Sequence, residues 1–294
     1  MRNARQVVIL GHSGFIGSHL ETALQAKNLH VVGRSLPEVD LSDAADFLNI
    51  ATYFTPDTTI ILVAAVKRQF GDSLDAFRMN LAIAENVCDL LMKKPVRQVI
   101  YFSSAAVYGE ETHNVNINEE TQINATSYYG LSKYASERLL DKAVTSCTSS
   151  SSLICLRPPL IYGPGDKGRT YGPAGFAAAA VECSPITLWG DGTELREFIY
   201  VGDICNIVLR LINVDFSGVL NTVSGTRYCF ADITNLLSKK FPCLQVTSRE
   251  RSKQKADNAF FPGKIYSVMG NDFLFTTLEE GLDKTLLYNF NECQ

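Results

Sequence analysis

With 294 residues, 46% of them hydrophobic, the chain is long enough to bury one large core or two interleaved smaller ones. A net charge of −4 leaves no basic stripe for tracking phosphates, which argues against a nucleic-acid partner. No apolar run approaches the ~20 residues of a membrane span, and the opening "VVIL" meets a glycine too soon for a signal-peptide core, so a cytoplasmic enzyme without a membrane partner is expected.

The first half alternates β-branched runs with amphipathic stretches. "QVVILG" (6–11) reads as a buried strand, "IGSHLETALQAKN" as a helix, "LHVVGR" as a second strand and "TTIILVAA" as a third. "MNLAIAENVCDLLMKK" follows as a helix, "VRQVIYFSSA" as a fourth strand, and "SLICLRPPLIYG" as a further strand after the helix that carries Lys133. The serine run "TSCTSSSS" (145–152) is the connecting loop. Continuous Val/Ile strands separated by helices predict an α/β fold built on a doubly wound parallel sheet covered on both faces.

After about residue 164 the pattern gives way to glycine and proline, an alanine-rich helix and short irregular elements. The expected organisation is a sheet domain over 1–163 with a returning segment at about 197–222, and a smaller α/β domain over 164–196 and 223–294. Ligands of open α/β sheets bind at the carboxyl edge of the strands, so the second domain is expected to close over a substrate.

Between the first strand and first helix, "LGHSGFIGSHL" spaces Gly11, Gly14 and Gly17 as G-x-x-G-x-x-G, with Ser13, Phe15 and Ile16 between them. Glycine permits a tight turn, backbone approach to a pyrophosphate and close helix packing, and the helix N-terminus favours negative charge. This is a dinucleotide-binding loop in its proper strand–loop–helix context. The second strand ends in Gly33, Arg34 and Ser35, where an NAD site normally places an acidic side chain for the ribose 2′-hydroxyl. Arg34 is read either as the partner of a 2′-phosphate, which tilts the NAD(P) cofactor toward NADP, or as a solvated loop arginine. Asp40 and Leu41 lie where a loop meets the adenine, although Asp40 is equally placed to cap a helix. The eight cysteines, Cys293 among them, are scattered and the four histidines form no ligand pattern, so reduced thiols and no metal site are expected.

"SYYGLSKYASE" sets two tyrosines ahead of a lysine. Each helical residue advances about 100°, so Tyr129 and Lys133 differ by only about 40°, whereas Tyr128 lies about 140° away. Tyr129 alone presents its phenol beside the ammonium, where a cation favours the phenolate and suits it to acid–base work. Tyr128 packs or touches substrate from the flank. Upstream, Ser103 and Ser104 in "YFSSAAVYG" end a strand at the ligand-binding edge, where a hydroxyl can bond the oxygen that Tyr129 protonates.

The glycine loop, "FSSAAVYG", "YYGLSK", "RPPLIYGPG" and "WGDGTELREFIYVGDI" together resemble the extended short-chain dehydrogenase/reductase superfamily, specifically its NAD-dependent nucleotide-sugar epimerases. The resemblance covers roughly the first 210 residues and implies a Rossmann sheet with a smaller substrate domain. It makes Ser104, Tyr129 and Lys133 the catalytic residues, with Ser104, Ala105 and Tyr129 against the sugar and Arg196 on the substrate diphosphate. Ala64, Ala65, Lys67, Asn80, Ser103, Tyr129 and Lys133 join the glycine loop in holding the cofactor. Relatives pair through the helices bearing Asn80 and Lys133, implying a homodimer, although "AIAENVCDLLMKK" also suits packing within one chain.

Two departures from the family pattern stand out, the first bearing on the chemistry and the second on how the sugar is oriented. Family dehydratases place Asp and Glu directly after the catalytic Ser or Thr, whereas Ala105 and Ala106 follow here, removing the acid and base of an elimination. Leu160 replaces the asparagine usual in "RPxN". The expected activity is 4-epimerisation of a nucleotide sugar. Alternatives are NADPH-dependent reduction of a 4-keto sugar and a non-catalytic cofactor-binding module.

Overall fold

The computed structural model describes residues 6–68, 71–147, 151–167, 171–252 and 254–292. Cys293 and residues 148–150 of the serine run lie outside them. In chain order the elements are β1 (Gln6–Leu10), α1 (Phe15–Gln25), β2 (His30–Arg34), α2 (Ala44–Phe47), β3 (Thr59–Leu62), α3 (Leu74–Lys93) and β4 (Gln98–Phe102). There follow β5 (Asn114–Ile117), α4 (Tyr128–Ser146), β6 (Ser152–Arg157), β7 (Leu160–Tyr162), α5 (Pro173–Val181), β8 (Ile186–Trp189), β9 (Leu195–Arg196) and β10 (Phe198–Tyr200). The last are α6 (Val201–Leu211), β11 (Gly218–Asn221), β12 (Tyr228–Cys229), α7 (Phe230–Lys240), β13 (Val246–Arg249), β14 (Asn258–Phe260), α8 (Gly263–Met269) and α9 (Leu278–Glu292).

Two units divide the chain: Met1–Gly109, Ile123–Arg157 and Cys205–Leu220 make the first, and Glu110–Gln122, Pro158–Ile204 and Asn221–Gln294 the second. The first is a six-stranded sheet in the order β11-β6-β4-β3-β1-β2, in which β1 pairs in parallel with β2 and β3, β3 with β4, and β4 with β6. All four residues of β3 and all five of β4 are buried, which is why these strands read as unbroken apolar runs rather than alternating ones. Val8, Leu10, Ile60, Leu62, Val99 and Tyr101 share a core with Val87 and Leu91 of α3 and Leu140 and Val144 of α4. Strand order reverses between β1 and β3, the switch point that opens a ligand crevice beyond the strands' carboxyl ends.

The second unit is built from short pairings, β7 with β10, β8 with β13 and β5 with β14 in parallel and β9 with β12 antiparallel. Its core gathers Phe176 of α5, Phe198 of β10, Phe230 of α7 and Leu282 of α9. The unit boundaries differ from the sequence expectation for a topological reason. Residues 110–122 join the second unit because β5 pairs with β14, and 158–163 and 197–204 join it because β7 pairs with β10. The segment that returns to the sheet is accordingly Cys205–Leu220. Among the described residues, no helix is long and apolar enough to cross a membrane, and no three His, Cys, Asp or Glu side chains are grouped to hold a metal ion.

Candidate active site

The glycine loop shows which of its glycines the chain itself requires. Gly11 has φ +99°, and a Cβ there would lie 2.6 Å from Ala64 N, whose own N–H donates to Leu10 O. A Cβ on Gly17 would overlap the Gly11 carbonyl oxygen, so this glycine lets α1 sit against the turn. Gly14 is different. It is the exposed N-cap of α1 in ordinary extended backbone, and a Cβ would meet no protein atom closer than 3.4 Å. Nothing in the chain demands glycine there, whereas a pyrophosphate approaching the helix N-terminus does. Lys67 Nζ lies 5.6 Å from the Phe15 ring centroid, beside the same turn, and Ile16 follows in the first turn of α1. The Ser35 hydroxyl donates to Ser13 Oγ at 2.7 Å, tying the loop to the end of β2.

Arg34 is no solvated loop arginine. Its guanidinium donates to Gly33 O at 2.6 Å and to the Tyr53 hydroxyl, and lies 4.7 Å from the Tyr53 ring centroid. Arg34, Tyr53, His12, Glu21 and Glu38 line a cavity of about 480 Å³, with His12 Nδ1 3.1 Å from Glu21 Oε2. The arginine thus faces a pocket that two carboxylates share. Asp40 closes its own turn, accepting from Ser42 N at 2.9 Å and from the Ser42 hydroxyl, and these bonds lower its pKa. The helix cap is Asp43, which accepts from Asp46 N. Leu41 is buried in the core, and its carbonyl accepts from Asn86.

Asn80, buried on α3, accepts from Val66 N at 2.7 Å and donates to Val66 O at 3.2 Å and Ser132 Oγ at 3.3 Å. Its carboxamide therefore fixes the segment that carries Ala64, Ala65 and Lys67. The Ser103 hydroxyl donates to Glu137.

Ser104 lies just beyond the end of β4, the strand end to which Lys133 bonds, and Tyr129 stands beside Lys133 on α4. Ser104 is half-buried and extended, and its Oγ accepts from Ala106 N at 3.1 Å, starting a 3-10 turn over Ala105–Tyr108. Helix α4 begins at Tyr128 with Ser127 as N-cap, while the Asp72 carboxylate accepts from Tyr129 N at 3.0 Å and Tyr128 N at 3.3 Å. Gly130 lets this first turn approach, since a Cβ there would stand 2.8 Å from Ala106 O. Lys133 is 3% exposed, its Nζ donating to Phe102 O at 2.7 Å and lying 5.6 Å from the Tyr129 ring centroid. Burial pulls its pKa down from 10.5 to about 7, opposed by Glu137. Tyr128, 42% exposed, sets its ring edge-on to Phe77. Tyr129 thus lies on the Lys133 side of α4, and Tyr128 packs on the flank.

In the second unit, Arg196 is half-buried and donates to Leu195 O at 2.8 Å and to Ala256 O, and burial lowers its pKa. It shares a cavity of about 180 Å³ with Trp189, Glu194, Arg251 and Gln254. Arg251 pairs with Glu194 and, at 2.9 Å, with Asp191. The other carboxylate oxygen of Glu194 is buried without a hydrogen-bond partner. Sequence reading missed Asp72, Glu194 and Arg251, because their partners lie far off in the chain. It also missed Glu137, one helical turn beyond Lys133, whose spacing was the available signal.

The family model for the NAD dependent epimerase/dehydratase family matches residues 7–222. The N-acetyl-alpha-D-glucosaminyl-diphospho-ditrans,octacis-undecaprenol 4-epimerase of Escherichia coli O157:H7 is 25% identical, the match covering 97% of this chain and 95% of that protein. The GDP-6-deoxy-D-talose 4-dehydrogenase of Aggregatibacter actinomycetemcomitans is also 25% identical, over 95% of this chain and 96% of its own. Among solved structures, MoeE5 in complex with UDP-glucose and NAD superposes with a TM-score of 0.85 at 25% identity, covering 98% of this chain and 100% of that one. With the glycine loop, the serine and the tyrosine–lysine pair all in place on a parallel six-stranded sheet, the chain belongs to the NAD dependent epimerase/dehydratase family of enzymes.

Proposed function

We propose that the protein is a 4-epimerase of a nucleotide sugar, with Ser104, Tyr129 and Lys133 as its catalytic residues. The observation that carries this reading is the Tyr129–Lys133 pair on α4, with Lys133 bonded to the strand end two residues before Ser104, and alanines at 105 and 106 directly after that serine. The glycine loop and the α1 N-terminus would hold the pyrophosphate of NAD(P), with Lys67 adding a positive charge nearby, and the bound cofactor would supply a reversible hydride acceptor for C4. Tyr129 takes the proton of the C4 hydroxyl and later gives it back, while the Ser104 hydroxyl bonds the same oxygen. The Lys133 ammonium favours the phenolate. The keto sugar turns over between the two transfers. Arg196 is assigned to the nucleotide diphosphate.

A second reading, one-way reduction of a 4-keto sugar with NADPH, draws on Arg34 facing its cavity and on the likeness to a 4-dehydrogenase. Glu21 and Glu38 in that cavity oppose a 2′-phosphate, so NADP is favoured only as far as Arg34 outweighs them. A turnover screen of UDP-, GDP-, CDP- and dTDP-sugars and a polyprenyl diphospho-sugar, each with NAD and NADPH, separates the readings. Reversible exchange of C4 epimers without net cofactor consumption supports the epimerase, and stoichiometric NADPH loss rules it out. Exposed Met79 and Met92 on α3 and Leu131 and Leu139 on α4 suit a homodimer through these helices, which light scattering tests.

A further inference from the structure

Beneath the end of β4 lies a set of charged groups to which the proposed chemistry gives no part. Glu137 of α4 and Arg157 of β6 form a two-pronged ion pair, Nε to Oε1 at 2.9 Å and Nη2 to Oε2 at 2.6 Å, with side chains 4% and 5% exposed. Arg157 Nη1 donates to the Tyr108 hydroxyl at 2.9 Å. Glu137 Oε1 also accepts from the Ser103 hydroxyl. Desolvation of both ions offsets their attraction, so such a pair is weak ground for a stabilising role. Its placement says more.

Lys133 and Glu137 are one turn apart on the same face of α4. They grip consecutive residues of one strand end, Lys133 the carbonyl of Phe102 and Glu137 the hydroxyl of Ser103. The next residue is Ser104. Helix α4 is therefore pinned at two points to the segment carrying the serine, and Tyr129, one turn before Lys133, inherits that register. Against Lys133 stand the rings of Tyr129 from α4 and Tyr101 from β4, with Glu137 the charged neighbour that acts on it, while Cys155 of β6 neighbours Tyr101, and Arg157 and Tyr108 sit on the far side of the ion pair. Burial pushes Tyr101 and Cys155 upward, so both stay neutral, and the Glu137 carboxylate is the anion of the group.

We propose that Glu137, clamped by Arg157, is a positioning residue for proton transfer: it sets the register of α4 against Ser103–Ser104 and supplies the negative charge that keeps the Lys133 ammonium beside Tyr129. This rests on Tyr129 and Lys133 being the proton-transfer pair. The test therefore uses a titration that needs no substrate and answers whether or not the epimerase reading survives.

In the full chain labelled with 13C at lysine Cε, the Lys133 resonance is identified by its loss in Lys133→Met. Glu137→Gln alone strands Arg157 as an unpaired buried cation, so the variant of choice is Glu137→Gln combined with Arg157→Met. Lys133 is expected to titrate about one pH unit lower in it, with kcat down about tenfold in step and KM little changed. A folded double variant with Lys133 at the wild-type midpoint overturns the proposal. Should that variant not fold, Glu137→Asp keeps Arg157 paired but withdraws the carboxylate by one methylene. A downward shift of Lys133 there supports the proposal, and an unmoved midpoint overturns it.

Discussion

The surroundings of Lys133 in the first unit and of Arg196 in the second handle charge in opposite ways. Lys133, Glu137 and Arg157 are all 5% exposed or less and are fixed by bonds to one strand end and one helix. Arg251 instead stands between Glu194 at 11% exposure and Asp191 at 68%, on an irregular loop facing a small cavity. Deep burial makes each charge expensive to change and suits chemistry common to a family. A wetter cavity tolerates exchange of its charges and suits the choice of substrate.

The sharpest way to break this contrast is Tyr129→Phe, which should lower turnover by about 10²–10⁴-fold while leaving NAD binding, read by fluorescence, intact. Tyr128→Phe should change turnover only a few-fold, and equal losses in the two variants would refute the phase argument. Arg196→Lys should act on the other side of the comparison, raising KM for the sugar nucleotide about tenfold with kcat nearly constant. A fall in kcat alone would mean that this arginine does not belong to substrate binding.

Stability gives smaller effects with a defined sign. Because folding lowers the Lys133 pKa to about 7, the native state binds fewer protons than the unfolded chain between about 7 and 10.5, and stability from this group rises with pH across that window. Lys133→Met should thus raise the unfolding temperature most below pH 7, with the advantage shrinking toward pH 10; an advantage growing with pH would contradict the burial. Glu197 runs the other way. Burial raises it to about 7, against which Ser224 N and Gly225 N donate to its carboxylate. Its contribution is full below about 4.5 and lost as pH rises through 7. Glu197→Gln, which keeps the acceptor, should gain slightly over wild type above pH 7 and gain nothing below 4.5, as thermal melts at both pH values will show.

What the sequence disclosed follows from the range of the interactions. The buried strands, the glycine loop and the phase of Tyr129 against Lys133 depend on neighbours within a few residues, and periodicity reports those directly. The Arg157–Glu137 pair spans 20 residues, the Arg34–Tyr53 stack 19 and the Asp72 bond to Tyr129 57, and no local pattern encodes them. The same limit misplaced residues 110–122, whose strand partner lies some 140 positions later. The family resemblance points Asn80 and Ser103 toward the cofactor; their hydrogen bonds to Val66 and Glu137, 14 and 34 positions away, are further contacts that no local pattern encodes.

The turn after Ser104 also bears on redesign. Converting this scaffold to elimination chemistry by installing Asp and Glu at 105 and 106 looks like a two-letter edit. Ala105 is half-buried, but Ala106 is 6% exposed, and the turn that holds it already lies close against the first turn of α4 at Gly130. A glutamate in place of this buried alanine adds volume to that turn, and shifting the turn to take it displaces the helix that carries Tyr129. An engineer seeking a dehydratase would have to rebuild the turn and the helix start together.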